Sequence, residues 1–165
     1  MQRVFNHHFV DFDKAYLPEP HVDVVDLYRR WSHKLGQPAL IPSYENEIDL
    51  SRLIGLRGPY CAYLHRTVIS PVERPAYIVI GNTDSYRLYL NDELVGDCDE
   101  HVWWTPFNNV HPVTLRQGHN RLLLKLLRRD ESMRFTLAFR ARTGLHGHHH
   151  NMEDWLVDLA DLVPG

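Results

Sequence analysis

The stretch "YRLYLNDELVG", residues 86–96, decides the fold. Tyr86, Leu88 and Leu90 fall on one face at period two, and Arg87, Tyr89 and Asn91 on the other, as a half-buried antiparallel strand requires. The strand then meets Asn91-Asp92, two residues that tolerate the positive φ angles of a tight hairpin, so the chain is expected to reverse there and return through Glu93-Leu94-Val95-Gly96.

Working outward, the same punctuation continues from about residue 58. "PYCAYLHRTVIS", "AYIVIGN", "YRLYLND", "ELVGDC", "HPVTL", "NRLLLKLLR" and "MRFTLAFRAR" are short strand-like runs, separated by "PVERP", "TDS", "TPFNN", "RQGH" and "RDES". Short strands with turn signals and no intervening helices indicate an antiparallel β-sandwich or barrel. In the last run Phe135, Leu137, Phe139 and Ala141 alternate with Arg134, Thr136, Ala138, Arg140 and Arg142, which predicts one buried and one wet face. "NRLLLKLLR" is apolar on both faces, through Leu122, Leu124 and Leu126 opposite Leu123 and Leu127, which predicts a central strand covered on both sides.

Helices are expected at the flanks. Val24, Leu27, Tyr28, Trp31 and Leu35 form one stripe over residues 21–35 before Gly36 and Pro38, and that helix is the expected cover for the central strand. A shorter helical turn is expected in "EIDLSRLIG". The tail "NMEDWLVDLADLV" reads as an amphipathic helix with Trp155, Leu156, Leu159, Leu162 and Val163 along one stripe, packed on its own sandwich or, the favoured case, across a dimer interface. Asp158 and Asp161 would orient it against arginines of the late strands. The resulting organisation is 1–57, an N-terminal helical or wrapping segment of the same domain; 58–145, the β-sandwich; and 146–165, a His-rich linker with the terminal helix.

Composition narrows the function classes. The chain has 165 residues, 44% hydrophobic and 24% charged, which suits one globular core. Its 18 basic and 21 acidic residues give a net charge of −3, so no global field favours nucleic acid or an anionic membrane. No run approaches the roughly 20 apolar residues of a membrane span, and "MQRVFNHHFVDFDK" lacks a signal peptide's apolar core, so a soluble cytoplasmic chain is expected. Cys61 and Cys98 are expected to be reduced and structural.

The order "AYIVIGNTDSYRLYLNDELVG", a Trp-Thr-Pro-Phe loop, and "VTLRQGHNRLLLKLLRRDESMRFTLAFR" resembles the galactose-binding-like jelly roll, over about half the chain. The matching features are the strand before Thr-Asp-Ser, the "YLND" hairpin, the spacing of Leu115, Gly118, Asn120 and Leu122, and the closing strand through Phe135, Leu137 and Phe139. Asp92 stands where that family usually has glycine. The resemblance implies a jelly-roll sandwich found in sugar-binding and accessory domains of glycoside hydrolases, with the Asn-Asp hairpin and the Gly-x-Asn turn as connections of the fold.

"HVWWTPFNNVH", residues 101–111, is the strongest binding candidate, because tryptophan stacks on the apolar face of a sugar and Asn108 and Asn109 offer amides to hydroxyls. Trp104, Asn108 and Asn109 are the residues chosen for contact. The alternative is that Trp103 or Trp104 closes the end of the barrel and the asparagines make the turn. His146, His148, His149 and His150, with His7 and His8, read as an adventitious cluster and not a fixed metal site. Glu45, Glu47 and Asp49 read as a solvated acidic turn, with a structural calcium as the rival. Arg121, Lys125, Arg128, Arg129, Arg134, Arg140 and Arg142 read as a solvated face or as partners of the acidic tail; exposed aromatics that nucleic acid would require are not interleaved with them. No phosphate loop, nucleophile elbow or zinc motif appears, so no catalytic residue and no cofactor is expected. The sequence thus points to a non-catalytic carbohydrate-binding module accessory to an enzyme. Its rival is a structural or oligomerisation domain that docks on a catalytic domain or on a second copy of itself.

Overall fold

The structure, a computed structural model, describes residues 2–6, 11–23, 48–49, 59–105, 108–129, 134–142 and 156–165. The described secondary structure is entirely β. In chain order the strands are β1 (Gln2–Asn6), β2 (Ile48–Asp49), β3 (Tyr60–Ser70), β4 (Arg74–Asn82), β5 (Tyr86–Leu90), β6 (Glu93–Cys98), β7 (Asn109–Leu115), β8 (Gly118–Arg128), β9 (Arg134–Arg142), β10 (Leu156–Asp158) and β11 (Val163–Pro164). One sheet has the order β1-β3-β8-β5-β6, with β11 also on β3. The other has the order β10-β9-β4-β7, with β2 on β9.

The seven strand runs legible from residue 58 onward all form. Asn91 and Asp92 both adopt positive φ, 51° and 72°, as a two-residue primed hairpin turn requires. Period-two alternation then builds the layers. Tyr86, Leu88 and Leu90 of β5, Leu122, Leu124 and Leu126 of β8 and Tyr60 and Ala62 of β3 point inward, where they meet Ala76, Ile78 and Ile80 of β4, Val113 and Leu115 of β7 and Phe135 of β9. The two sheets pack face to face around this cluster, and each fully buried aliphatic contributes about 2 kcal/mol.

The opposite face of the first sheet is also buried. Cys61, Tyr63, Tyr89, Leu123 and Leu127 lie beneath Phe12 and Leu17, with Tyr16 and Val22 packed against them. β8 is therefore the doubly covered central strand that its leucines indicate. Its cover here is the non-helical segment 11–23; the expected helix over 21–35 lies outside the described residues beyond Asp23. On β9 only Phe135 is fully buried. The remaining positions of both faces are half-buried up to Ala141, so the expected clean division into buried and wet faces is softened.

Two helical expectations give way to strands. Ile48 and Asp49 pair with Phe135 and Arg134, which removes the start of the expected turn in "EIDLSRLIG"; the rest lies outside the described residues. The terminal helix is replaced over 156–165 by extended chain. Leu156, Val157 and Asp158 pair with Arg142, Ala141 and Arg140, the chain turns at Ala160-Asp161, and Val163 and Pro164 pair with Ile69 and Val68. The physical reason lies in the backbone: a helix this short is marginal in water, whereas the edges of β9 and β3 supply partners for its N–H and C=O groups. Leu156 is buried and Leu159 and Leu162 pack on the core, while Val163 of the expected stripe is exposed. The tail thus packs on its own sandwich. Its acids do meet arginines, Asp158 with Arg140 at 3.0 Å and Asp161 with Arg74 at 2.6 Å.

Candidate functional site

Residues 99–105 and Asn108 lie against the end of the sandwich where β4 finishes and β5 begins. The first limb is tied to the Thr83-Asp84-Ser85 turn. The Val102 N–H donates to Thr83 O at 2.9 Å. Ser85 Oγ donates to Asp99 Oδ1 at 2.6 Å, and Arg129 donates to the same oxygen at 2.5 Å and to Ser85 Oγ at 2.8 Å. The Ser85 hydroxyl first, and then Arg129, hold the Asp99 carboxyl below the usual range. Beneath them Asp84 is fully buried, accepting from the N–H groups of Ser85 and Arg129, both at 2.7 Å. His101 Nδ1 stands 4.0 Å from Asp84 Oδ2, the oxygen that accepts from Arg129.

The second limb is tied by amides. Asn108 Oδ1 accepts from the N–H of Thr105 at 2.8 Å and of Asn82 at 3.2 Å, while its Nδ2 donates to Trp103 O at 3.1 Å. Asn109 Nδ2 donates to Asn82 Oδ1 at 3.1 Å, and Asn82 Nδ2 donates to Asp84 O at 2.9 Å. Of the residues selected from sequence, Asn108 and Asn109 are thus brought together as the fastening of the loop. Trp104 is half-buried with its indole nitrogen enclosed beside Gly81, where a methyl group would lie 2.8 Å from Trp104 Nε1 and 2.5 Å from Thr136 Oγ1. Glycine at position 81 makes that approach possible.

Trp103 faces the other way. It is 92% exposed, on a loop otherwise fixed by at least six hydrogen bonds, and it is the residue of this loop that the selection from sequence omitted. The signal for it was the doubled tryptophan itself, since adjacent residues in extended chain point to opposite sides.

A cavity of about 550 Å³ lies at the opposite end, between β6 and β7. Leu90, Asn91, Glu93, Val95, Val113 and Arg116 contribute to its lining. Cys61 and Cys98 are both free thiols, and burial pushes Cys61 up to about 12, so it is not a nucleophile at neutral pH. Among the described residues no group of three or more His, Cys, Asp or Glu side chains is placed to hold a metal. The histidine cluster at 146–150, His7, His8, Glu45 and Glu47 lie outside the described residues. The basic residues of the late strands are largely committed: Lys125 is buried against Glu19, Arg121 pairs with Asp92, and Arg129 pairs with Asp99. No helix among the described residues is long and apolar enough to cross a membrane.

No family model matches the chain, and no curated protein matches it. Among solved structures, the fold is similar to part of a β-glucosidase from Kluyveromyces marxianus, with a TM-score of 0.54 and 11% identity over 84% of this chain and 16% of that one. A PA14 domain of the antifreeze protein MpAFP gives a TM-score of 0.44 and 13% identity, over 56% of this chain and 47% of that one. A GH31 α-xylosidase from Xanthomonas citri gives 0.45 and 16%, over 63% and 12%. The chain spans less than half of each of these proteins, and the likeness to the β-glucosidase is one of fold alone.

Proposed function

We propose that this chain is a non-catalytic carbohydrate-binding β-sandwich of the galactose-binding-like jelly-roll type, accessory to an enzyme. The observation that carries this is Trp103: a large apolar ring held almost wholly in water on a loop that the fold fastens at both ends. An indole set in water offers a flat apolar face on which the C–H face of a sugar can stack. The pyranose ring, with an apolar C–H face and a hydroxylated rim, fits a flat aromatic set among polar groups. Trp104, Asn108 and Asn109 enter as the residues that hold the platform in place. The fold likeness to about a sixth of a β-glucosidase chain supports an accessory role, with a catalytic domain as partner. Two free thiols suit a reducing compartment such as the cytoplasm.

A glycan array read with wild type, Trp103→Ala and Trp104→Ala tests the proposal. Binding that is lost in Trp103→Ala, in a variant with unchanged melting temperature, supports it; binding indifferent to both substitutions, or none at all, rejects it. One observation favours the alternative of a structural or oligomerisation domain without sugar: among the described residues β6 and β7 each pair on one side only, and Leu94 of β6 is exposed. Sedimentation showing a dimer that Leu94→Lys dissociates would support that alternative.

A further inference from the structure

We infer that the outer face of the first sheet is a binding surface for an extended acidic peptide, and that residues 11–23 occupy it as a built-in ligand that a peptide of the same chemistry can replace. The first ground is where the donors come from. Tyr63 of β3 and Arg87 of β5 both stand opposite Lys125 of β8 in the strand registers, so the three form one row across the sheet. Tyr89 lies two residues beyond Arg87, on the same face. The strand ladder sets these positions, independently of the segment that covers them. The row presents two phenols, an ammonium and a guanidinium, beside Cys61, Leu123 and Leu127.

The second ground is how the covering segment is held. Among the described residues, 11–23 joins neither sheet, and side chains of the sheet hold it instead. Glu19 accepts from Tyr63 Oη, accepts from Tyr89 Oη at 3.0 Å and lies 2.9 Å from Lys125 Nζ. Lys125 also donates to the carbonyls of Phe12 and Lys14 at 2.9 and 2.7 Å, and the Tyr16 N–H donates to Tyr63 Oη at 3.2 Å. Arg87, which meets Asp97 at 3.4 Å, donates to Phe12 O at 3.2 Å and to Asp13 Oδ1 at 2.6 Å, with its guanidinium 4.2 Å from the centre of the Phe12 ring. Phe12 and Leu17 are buried, whereas Asp11, Asp13, Lys14, Ala15 and Pro18 stand in solvent. A groove receives a peptide in this way, with apolar anchors on one side, a wet back, and fixed donors on its carbonyls and carboxylates. Charge agrees: the segment carries Asp11, Asp13, Glu19 and Asp23 against Lys14, and the row beneath carries Arg87 and Lys125. An ammonium as deeply buried as Lys125 is costly without a partner, so whatever displaces Glu19 must bring a carboxylate of its own.

The experiment is fluorescence anisotropy of a labelled synthetic peptide of residues 11–23, titrated with the full chain and with the full-length double variant Phe12→Ala with Glu19→Ala. The double variant loosens the resident segment and leaves the sheet untouched. It is expected to bind the peptide with a dissociation constant of about 100 μM or tighter, and the wild type at least about tenfold more weakly. Changing Glu19→Gln in the peptide, or adding Lys125→Gln to the double variant, is expected to weaken binding about tenfold. A double variant that keeps the wild-type circular dichroism yet binds no peptide, or binds the Glu19→Gln peptide equally well, overturns the inference. If the double variant does not fold, Glu19→Ala alone is melted in roughly 0.2 M sodium acetate and in sodium chloride of the same concentration. A melting temperature raised by acetate and not by chloride supports a site that takes a carboxylate from outside the chain. Equal behaviour in the two salts overturns it.

Discussion

Asn91 Nδ2 donates to Asn120 Oδ1 across 3.0 Å, so the hairpin between β5 and β6 and the turn into β8 are fastened side chain to side chain. Asn91 also brackets Arg121, donating its N–H to Arg121 O at 2.8 Å and accepting the Arg121 N–H at 2.9 Å. Asn120, fully buried, accepts from the Arg116 N–H at 2.9 Å and donates to the carbonyls of Arg116 and Gly118 at 2.8 and 3.1 Å. Gly118 itself sits at φ 86°, where a side chain would be strained. Asn120→Ala leaves several buried groups unsatisfied and is expected to cost roughly 2–4 kcal/mol in urea denaturation. Asn120→Asp, which turns a carboxylate toward two carbonyls, should cost no less. Asp92→Gly, at φ 72°, should be neutral or stabilise by up to about 1 kcal/mol, because only exposed contacts with Arg121 and His21 are lost.

Lys125 is the other residue on which distant chain converges. Its ammonium is fully buried, 2.9 Å from Glu19 Oε1 and donating to the carbonyls of Phe12 and Lys14 at 2.9 and 2.7 Å. Tyr63 and Tyr89 donate to the same carboxylate of Glu19, and Tyr89 to its Oε2 at 3.0 Å. Burial first, and then the bond to Glu19, pushes both phenols up, so they remain donors at any physiological pH. Lys125→Met strands a buried carboxylate and two carbonyls and is expected to cost about 3–5 kcal/mol. Lys125→Met with Glu19→Gln should recover a large part of that loss. A double variant no better than the single one, by chemical denaturation, would show that the charges do not act as a pair.

Which of these features the sequence disclosed follows from how local each cause is. The Asn91-Asp92 hairpin was legible because few residue types accept positive φ at two successive positions, and the strands were legible because alternation needs no partner to be seen. The cover of β8 was not: Phe12, Tyr16, Leu17 and Val22 carry no period, since an extended segment lying on a sheet touches it irregularly. Lys125 was a usable signal nonetheless. A lysine between Leu124 and Leu126, in a strand buried on both faces, requires a carboxylate brought from elsewhere in the chain. At the loop, parity separated Trp103 from Trp104, and outside a regular strand the sequence does not give parity.

The pH dependence follows from His111, which joins the two sheets. Tyr86 Oη lies 2.6 Å from His111 Nε2, and burial lowers the imidazole below its ordinary 6.5, so neutral His111 accepts from a phenol that burial keeps protonated. The unfolded chain then binds the proton more readily than the folded one. Stability is full above about pH 6.5 and declines as pH falls toward the depressed folded value. His65, lowered by burial as well, adds to the same window. The carboxyl of Asp99, held low by Ser85 and Arg129, contributes a separate loss below about pH 3.8. Melting temperatures between pH 8 and pH 5 should therefore fall, and His111→Gln should flatten part of that fall without touching the acid limb. An unchanged slope in His111→Gln would assign the window to other groups.

The tail offers the sharpest separation of packing from charge. From β10 on β9 it crosses to β11 on β3, with the Leu159 N–H on Phe139 O at 3.0 Å and the Gly165 N–H on Thr67 O at 2.9 Å, so ten residues tie one sheet to the other. Leu156 is buried, whereas Val157 and Asp158 stand largely in solvent. Removing apolar volume from a buried site costs far more than breaking an exposed ion pair, so Leu156→Ala is expected to destabilise by about 2–3 kcal/mol and Asp158→Asn by less than about 1 kcal/mol. Truncation before Leu156 should lower the melting temperature further than either, because it also opens the edge of β9 and part of the edge of β3. Since these contacts are made within one chain, light scattering should give the same oligomeric state before and after truncation at low temperature. Conversion of a dimer to a monomer by the truncation, with the melting temperature unchanged, would place the tail's partner on another copy and refute its packing on this sandwich.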